Sequence, residues 1–386
     1  MRTAYQKAFY FTISIMLLRL FSLSAQDNTG LKYDNSALLY SGVEVGSKGV
    51  KMSLLEIGKN AKNNGSFNVL KDTSVNTDFI SFSPATFEAT LTGLLNLYNV
   101  ATKEYLVSTD RVFTVISSGV QMQAVKEEKN DWINRLIDSF KLKINEPHRK
   151  IEVIDAMQEG RLSHLGIVPD AKRYSTFLID IGSGNTKGGY FPYDNTKDFK
   201  LFNLNWGTKS TSNATEKRCD EFDKTLANYN KQMYRVLAGA EEQEIIYAVN
   251  ASGAYNMNDY IAFSGGIAWA VATLIKPELT NSSIIPVTYD DVLNFSETLY
   301  KNYSSLSDAA LVKTLKNNAG IEQAAIAKEV KRVNKVFDQR SMMAGTGLLL
   351  KIMRQFKSIY ETKQYYLVKN GQVGWISAYV DQHSSQ

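Results

Sequence analysis

Residues 44–51 read Glu-Val-Gly-Ser-Lys-Gly-Val-Lys, and residues 180–187 read Asp-Ile-Gly-Ser-Gly-Asn-Thr-Lys. Each copy opens on a carboxylate, follows it with Gly-Ser, and closes on a lysine. An apolar run precedes each copy and another follows it, so each reads as a strand, a tight turn and a second strand. A carboxylate at a strand end, opening into a Gly/Ser turn, suits a metal ion beside backbone N–H groups that face a phosphate. Two such hairpins from two similar halves would grip a phosphate chain from opposite sides.

Outward from the hairpins the pattern repeats. In the first half, strands are expected at 37–45, 50–57, 67–70, 111–116 and 150–154, with helices at 84–97, 131–142 and 158–165. Trp132, Ile133, Leu136, Ile137 and Phe140 carry the helical spacing of the second helix. In the second half, strands are expected at 175–181, 187–191, 199–206, 244–249 and 260–264. A long helix is expected over 215–238 and another over 268–275, with mostly helix over 289–361. A terminal hairpin is expected to pair 365–368 with 375–380 through Asn370-Gly371. This is mixed α/β twice over, with a boundary near Pro169–Tyr174.

The bulk numbers exclude several classes. At 386 residues, 44% hydrophobic and 22% charged, the chain has enough material for two domains with cores. Residues 1–25 read as a secretory signal, with Arg2 and Lys7 before an apolar stretch and Ser22-Leu23-Ser24-Ala25 as the cleavage site. Losing that segment removes Arg2, Lys7 and Arg19 and lowers the formal charge from +5 to +2, which argues against nucleic acid as a partner. A single cysteine, Cys219, excludes an internal disulfide and a cysteine-based metal site. With only His148, His164 and His383, and no Gly-x-Ser-x-Gly, serine-hydrolase chemistry has little to draw on.

Six segments, in order, resemble the exopolyphosphatase / guanosine-pentaphosphate phosphohydrolase family of the actin-like ATPase superfamily. They are the two hairpins, Ser117-Ser118-Gly119-Val120, the stretch 151–166 containing Glu159-Gly160-Arg161-Leu162, Ser264-Gly265-Gly266, and the 340–350 helix. The resemblance covers nearly the whole mature chain. It implies an α/β fold of two ribonuclease-H-like domains, 36–170 and 174–386, with a cleft between them.

It also implies site residues. Glu159 falls where the family has its catalytic Glu, and a carboxylate there would orient or deprotonate a water aligned with a terminal phosphorus. Glu44 and Asp180 are expected to organise Mg²⁺. Gly46, Ser47, Lys48, Ser117, Gly182, Ser183, Gly184, Asn185, Thr186, Lys187, Gly265 and Gly266 are expected to hold phosphates. Three positions depart from the family pattern: Glu44 replaces Asp, Lys187 replaces a Glu, and Gln121 replaces an Arg. The implied activity is an exported, Mg²⁺-dependent phosphoanhydride hydrolase acting on inorganic polyphosphate. An apyrase-like nucleotidase and a phosphate- or nucleotide-binding protein without turnover are the alternatives. An exported location, periplasmic or secreted, follows from the leader. A homodimer, and a membrane contact through an uncleaved leader, are left open.

Overall fold

The computed structural model describes residues 38–57, 62–63, 66–67, 69–280, 282–315, 323–357, 362–369 and 371–384. The leader assigned to residues 1–25 lies outside them. Alternation and β-branched content in the first half give β1 (Leu38–Val45), β2 (Gly49–Ile57), β3 (Val69–Asn76), β4 (Val112–Ile116) and β5 (Ile151–Val153), in the sheet order β3-β2-β1-β4-β5. The second half gives β6 (Thr176–Ile181), β7 (Thr186–Tyr190), β8 (Lys200–Leu204), β9 (Tyr260–Ser264), β10 (Ile284–Val287) and β11 (Gln364–Val368), ordered β8-β7-β6-β9-β11-β10.

The two sheets share a topology. Each begins with an antiparallel three-strand meander. Each then adds two parallel strands beside the meander's first strand, β4 and β5 in one, β9 and β11 in the other. Parallel neighbours need crossover connections, which the intervening helices supply. Val43, Val50, Met52, Leu94, Leu136 and Phe140 are among the residues of the first core. Phe177, Ile179, Phe202, Phe263 and Leu348 are among those of the second. Each such side chain contributes about 1.5–3 kcal/mol on burial.

The final helix of each half crosses to the other half. After β5 the chain enters the Ala156–Ile167 helix, which packs on β7. After β11 it enters the Gly374–Ser384 helix, which packs on β1; there Val380 joins Tyr40 and Leu55 in one apolar cluster. The two helices cross where Gly166 meets Gly374: a Cβ on Gly166 would lie 2.0 Å from the Gly374 carbonyl oxygen. This exchange ties the domains together and carries residue 159 to the face of the second sheet.

Four expected elements differ. The third strand is Val69–Asn76 rather than 67–70. The helix expected over 215–238 is two helices, Thr208–Arg218 and Leu226–Ala240, because Thr225 caps the second by accepting from the Asn228 N–H at 3.2 Å. Residues 244–249 are helical; Ile245 and Val249 are buried one turn apart while Tyr247 is exposed. The strand expected at 375–380 is helix, buried along its length between the first sheet and the 156–167 helix. A continuous apolar run does not distinguish a buried strand from a buried helix. Asn370, the first residue of the expected turn, lies outside the described residues. No helix among the described residues is long and apolar enough to cross a membrane.

Candidate active site

Both hairpins form, and in the same geometry. Glu44 ends β1 opposite Lys51, and Asp180 ends β6 opposite Lys187. The Gly46 N–H donates to the Gly49 carbonyl at 2.9 Å, and the Gly182 N–H to the Asn185 carbonyl at 2.9 Å, so one turn is built twice. The turns come together across the domain boundary at Gly119, which follows β4. A Cβ on Gly119 would lie 2.7 Å from Ser47 Oγ and 3.8 Å from Asn185 Oδ1, so this glycine stands next to both turns. Asn185 also reaches the first domain directly, its Nδ2 donating to Met122 Sδ at 3.5 Å.

Glu159 lies in the first turn of the 156–167 helix, whose N-terminus is capped by Asp155 accepting from the Gln158 N–H at 2.7 Å. The side chain is buried. Its Oε2 accepts from the Ser118 N–H at 2.8 Å, and its Oε1 takes the Lys187 ammonium at 2.8 Å. One carboxylate therefore joins the start of the Ser118–Lys126 helix, which follows β4, to the lysine of the second hairpin. Burial alone would raise the Glu159 pKa. The Lys187 charge and the Ser118 donor outweigh it and hold the carboxyl below its usual range. Burial disfavours the Lys187 ammonium, but Glu159 and Asp180 more than reverse this and push its pKa above the usual lysine value.

Glu44 and Asp180 are buried beside this pair and behave differently. Burial raises the pKa of Glu44, with Lys51 only partly offsetting it at 3.7 Å. Burial raises that of Asp180 too, despite Lys187. Glu44 Oε2, Ser118 Oγ and Ser264 Oγ are buried without a hydrogen-bond partner among the described residues. They sit at or just beyond the ends of β1, β4 and β9.

The expected phosphate residues separate into groups. Ser47, Lys48, Ser183 and Gly184 keep some exposure at the turns. Lys48 is exposed; desolvation first, then the Lys209 and Lys51 charges, lower its pKa, with Asp338 opposing. Thr186 turns away, its Oγ1 donating to the Trp206 carbonyl at 2.7 Å, and so serves the turn's own structure. Ser117 anchors the loop after β4, its N–H donating to the Val45 carbonyl at 3.0 Å. Gly265 has φ 92°, and a Cβ there would lie 2.6 Å from Asp180 Oδ1; its role is to let that carboxylate stand at the strand end. Gly266 packs against the Phe337 ring. Lys187 faces a carboxylate.

The expected Mg²⁺ would have two buried carboxylates of the chain, Glu44 and Asp180, as its protein donors. No group of three or more Asp, Glu, His or Cys among the described residues is arranged to hold a metal ion. A cation already stands against Glu159, in the form of Lys187.

Ser118, Gly119 and Lys209 belong to the site although the motif reading did not give them these roles. Ser118 and Gly119 act through a backbone N–H and the lack of a Cβ, and adjacency to Ser117 was the available signal. The Lys209 and Ser210 N–H groups, at the start of the Thr208–Arg218 helix, bond the Ser183 carbonyl at 2.8 and 3.2 Å and brace the second turn. No sequence signal marks that support.

No protein-family model matches the chain, and no curated protein matches it. Solved structures do. A Ppx/GppA family member from Aquifex aeolicus superposes with a TM-score of 0.57 at 17% identity, over 90% of this chain and 98% of that one. An exopolyphosphatase from Cytophaga hutchinsonii superposes with a TM-score of 0.55 at 13% identity, over 89% of this chain and 98% of that one. The chain therefore has the two-domain, actin-like α/β fold of the Ppx/GppA structures.

Proposed function

We propose that the cleft binds the end of a phosphoanhydride chain and hydrolyses its terminal bond. The observation that carries this reading is the convergence at Gly119. Two Gly-Ser turns from different domains meet there, and Glu159 is fixed beside them by the Ser118 N–H. The turns hold the phosphates, and Lys48 gives the rim positive charge beside Lys51 and Lys209, which stand against Glu44 and Asp78. Glu159 orients a water toward the terminal phosphorus. The water oxygen bonds to phosphorus, the bridging P–O bond breaks with its electron pair leaving on the shortened chain, and the water proton passes to Glu159. Inorganic polyphosphate is the proposed substrate, because the leader-like residues 1–25 suit an exported protein and little nucleoside triphosphate is found outside the cell membrane.

A second reading is favoured by the Glu159–Lys187 pair. A carboxylate whose charge is already matched is a weaker base, and the cleft would then bind phosphate chains without turning them over. Phosphate release from long-chain polyphosphate and from ATP separates the two. The hydrolase reading expects release from polyphosphate, a loss of about 10²- to 10⁴-fold in Glu159→Gln, and tripolyphosphate binding that survives the substitution. Binding without release from either substrate would leave the second reading standing. If neither binding nor release occurs, both readings fall.

A further inference from the structure

We propose that the Lys187 ammonium is the resident cation of this cleft, held by Glu159 on the strand facing Asp180, so that phosphate is held there without a metal. The inference rests on the phosphate reading above. Lys187 is paired across the ladder with Asp180, buried, and 2.8 Å from Glu159 Oε1. Glu159, Asp180 and Glu44 all act on it electrostatically, so it lies in the field of every carboxylate expected to serve metal or water. Mg²⁺ needs near-octahedral oxygen donors and keeps several waters. A divalent ion beside Asp180 would add positive charge next to a buried ammonium whose carboxylate contact, among the described residues, is Glu159. The lysine of the first hairpin is not a substitute cation of this kind: its side chain is 41% exposed, against 9% for Lys187, and lies 3.7 Å from its own hairpin's Glu44.

The role follows from chemistry on the page. A primary ammonium offers three N–H donors and no acceptor. One is used by Glu159. Among the described residues no second acceptor is bonded to it, which leaves two donors for phosphate oxygens, as a point charge that does not depend on the metal supply.

The test uses the whole protein and Mn²⁺ as the metal probe, read by electron paramagnetic resonance. Wild type is expected to show no Mn²⁺ site that Asp180→Asn removes, at concentrations up to about 1 mM. Lys187→Glu is expected to gain one. A wild-type site of one Mn²⁺ per chain that is lost in Asp180→Asn overturns the proposal, and this arm needs no folded Lys187 variant. In parallel, tripolyphosphate should raise the wild-type melting temperature equally in EDTA and in Mg²⁺, and Lys187→Met should weaken its binding by about tenfold or more in both. A shift that appears only with Mg²⁺, or undiminished binding by Lys187→Met, overturns it as well. If tripolyphosphate gives no shift in either buffer, the phosphate reading falls and takes the binding half of the proposal with it. The Mn²⁺ titration still decides whether the ammonium excludes a metal.

Discussion

The two hairpins place a lysine opposite a carboxylate in the same register, yet the lysines end in different surroundings. Lys51 stays at the rim, 3.7 Å from Glu44. Lys187 is buried and reaches past its strand partner Asp180 to a helix that began in the other domain. Local sequence does not separate them, because the turn hydrogen bonds are the same. What differs is the cover. The 156–167 helix lies over β7 and has an acidic residue, Glu159, in its first turn. Its counterpart over the first sheet, Gly374–Ser384, has none. The duplicated architecture therefore places similar hairpins under dissimilar helices, and the helix decides what each lysine does.

The largest test of this contrast is to remove each lysine in turn. Lys187→Met leaves Glu159 buried with only the Ser118 N–H, and breaking one side of a buried pair costs about 3–5 kcal/mol. Lys51→Met removes a partly exposed ammonium 3.7 Å from buried Glu44, beyond hydrogen-bond distance, and should cost less, about 1 kcal/mol. Urea unfolding of both variants checks this. Equal losses would mean that the covering helix does not set the difference.

The cover is also sensitive to acid. His164 lies on the same helix, buried edge-on against Phe191, with Nε2 on the Thr176 carbonyl at 3.0 Å and Nδ1 without a partner among the described residues. Burial lowers its pKa to about 4, while an unfolded histidine keeps the ordinary value of 6.5. The unfolded chain therefore takes up the proton first. Stability from this group is complete above pH 6.5, falls as the pH drops, and levels off near pH 4. The loss over that window is about 3 kcal/mol at 1.36 kcal/mol per unit. Melting curves across that window should be steeper for wild type than for His164→Gln. Parallel slopes would mean that His164 is not held neutral.

The fold was legible because duplication leaves a pattern: Glu44 to Lys51 and Asp180 to Lys187 announce the hairpins, and the alternation around them announces the sheets. Glu159 was legible through its neighbours Gly160, Arg161 and Leu162. What escaped was set by tertiary cover. Residues 375–380 are apolar enough for a strand but lie in a helix between the two domains. The sequence of Lys187 showed a reversed charge, but not that the ammonium would be buried against Glu159. Thr186 reads as a phosphate donor only until its hydroxyl is seen on the Trp206 carbonyl.

The finest comparison lies within the turns. Gly49 and Asn185 occupy the same place, each accepting from the glycine that opens its turn. A Cβ on Gly49 would fall 2.0 Å from the Val75 carbonyl oxygen on β3, so Gly49→Ala must push the neighbouring strand and should cost about 1–3 kcal/mol. Gly184, one residue before Asn185, has nothing within 4 Å of a Cβ, so Gly184→Ala should change stability by no more than about 0.5 kcal/mol. That open space is where a phosphate oxygen could approach the backbone. If the second turn holds the chain as proposed, Gly184→Ala should weaken tripolyphosphate binding by about tenfold while the melting temperature of the free protein stays unchanged. Calorimetric titration alongside thermal melting reads both quantities. Unchanged affinity would remove Gly184 from the phosphate contacts and shift the grip toward Ser47 and Lys48 of the first hairpin.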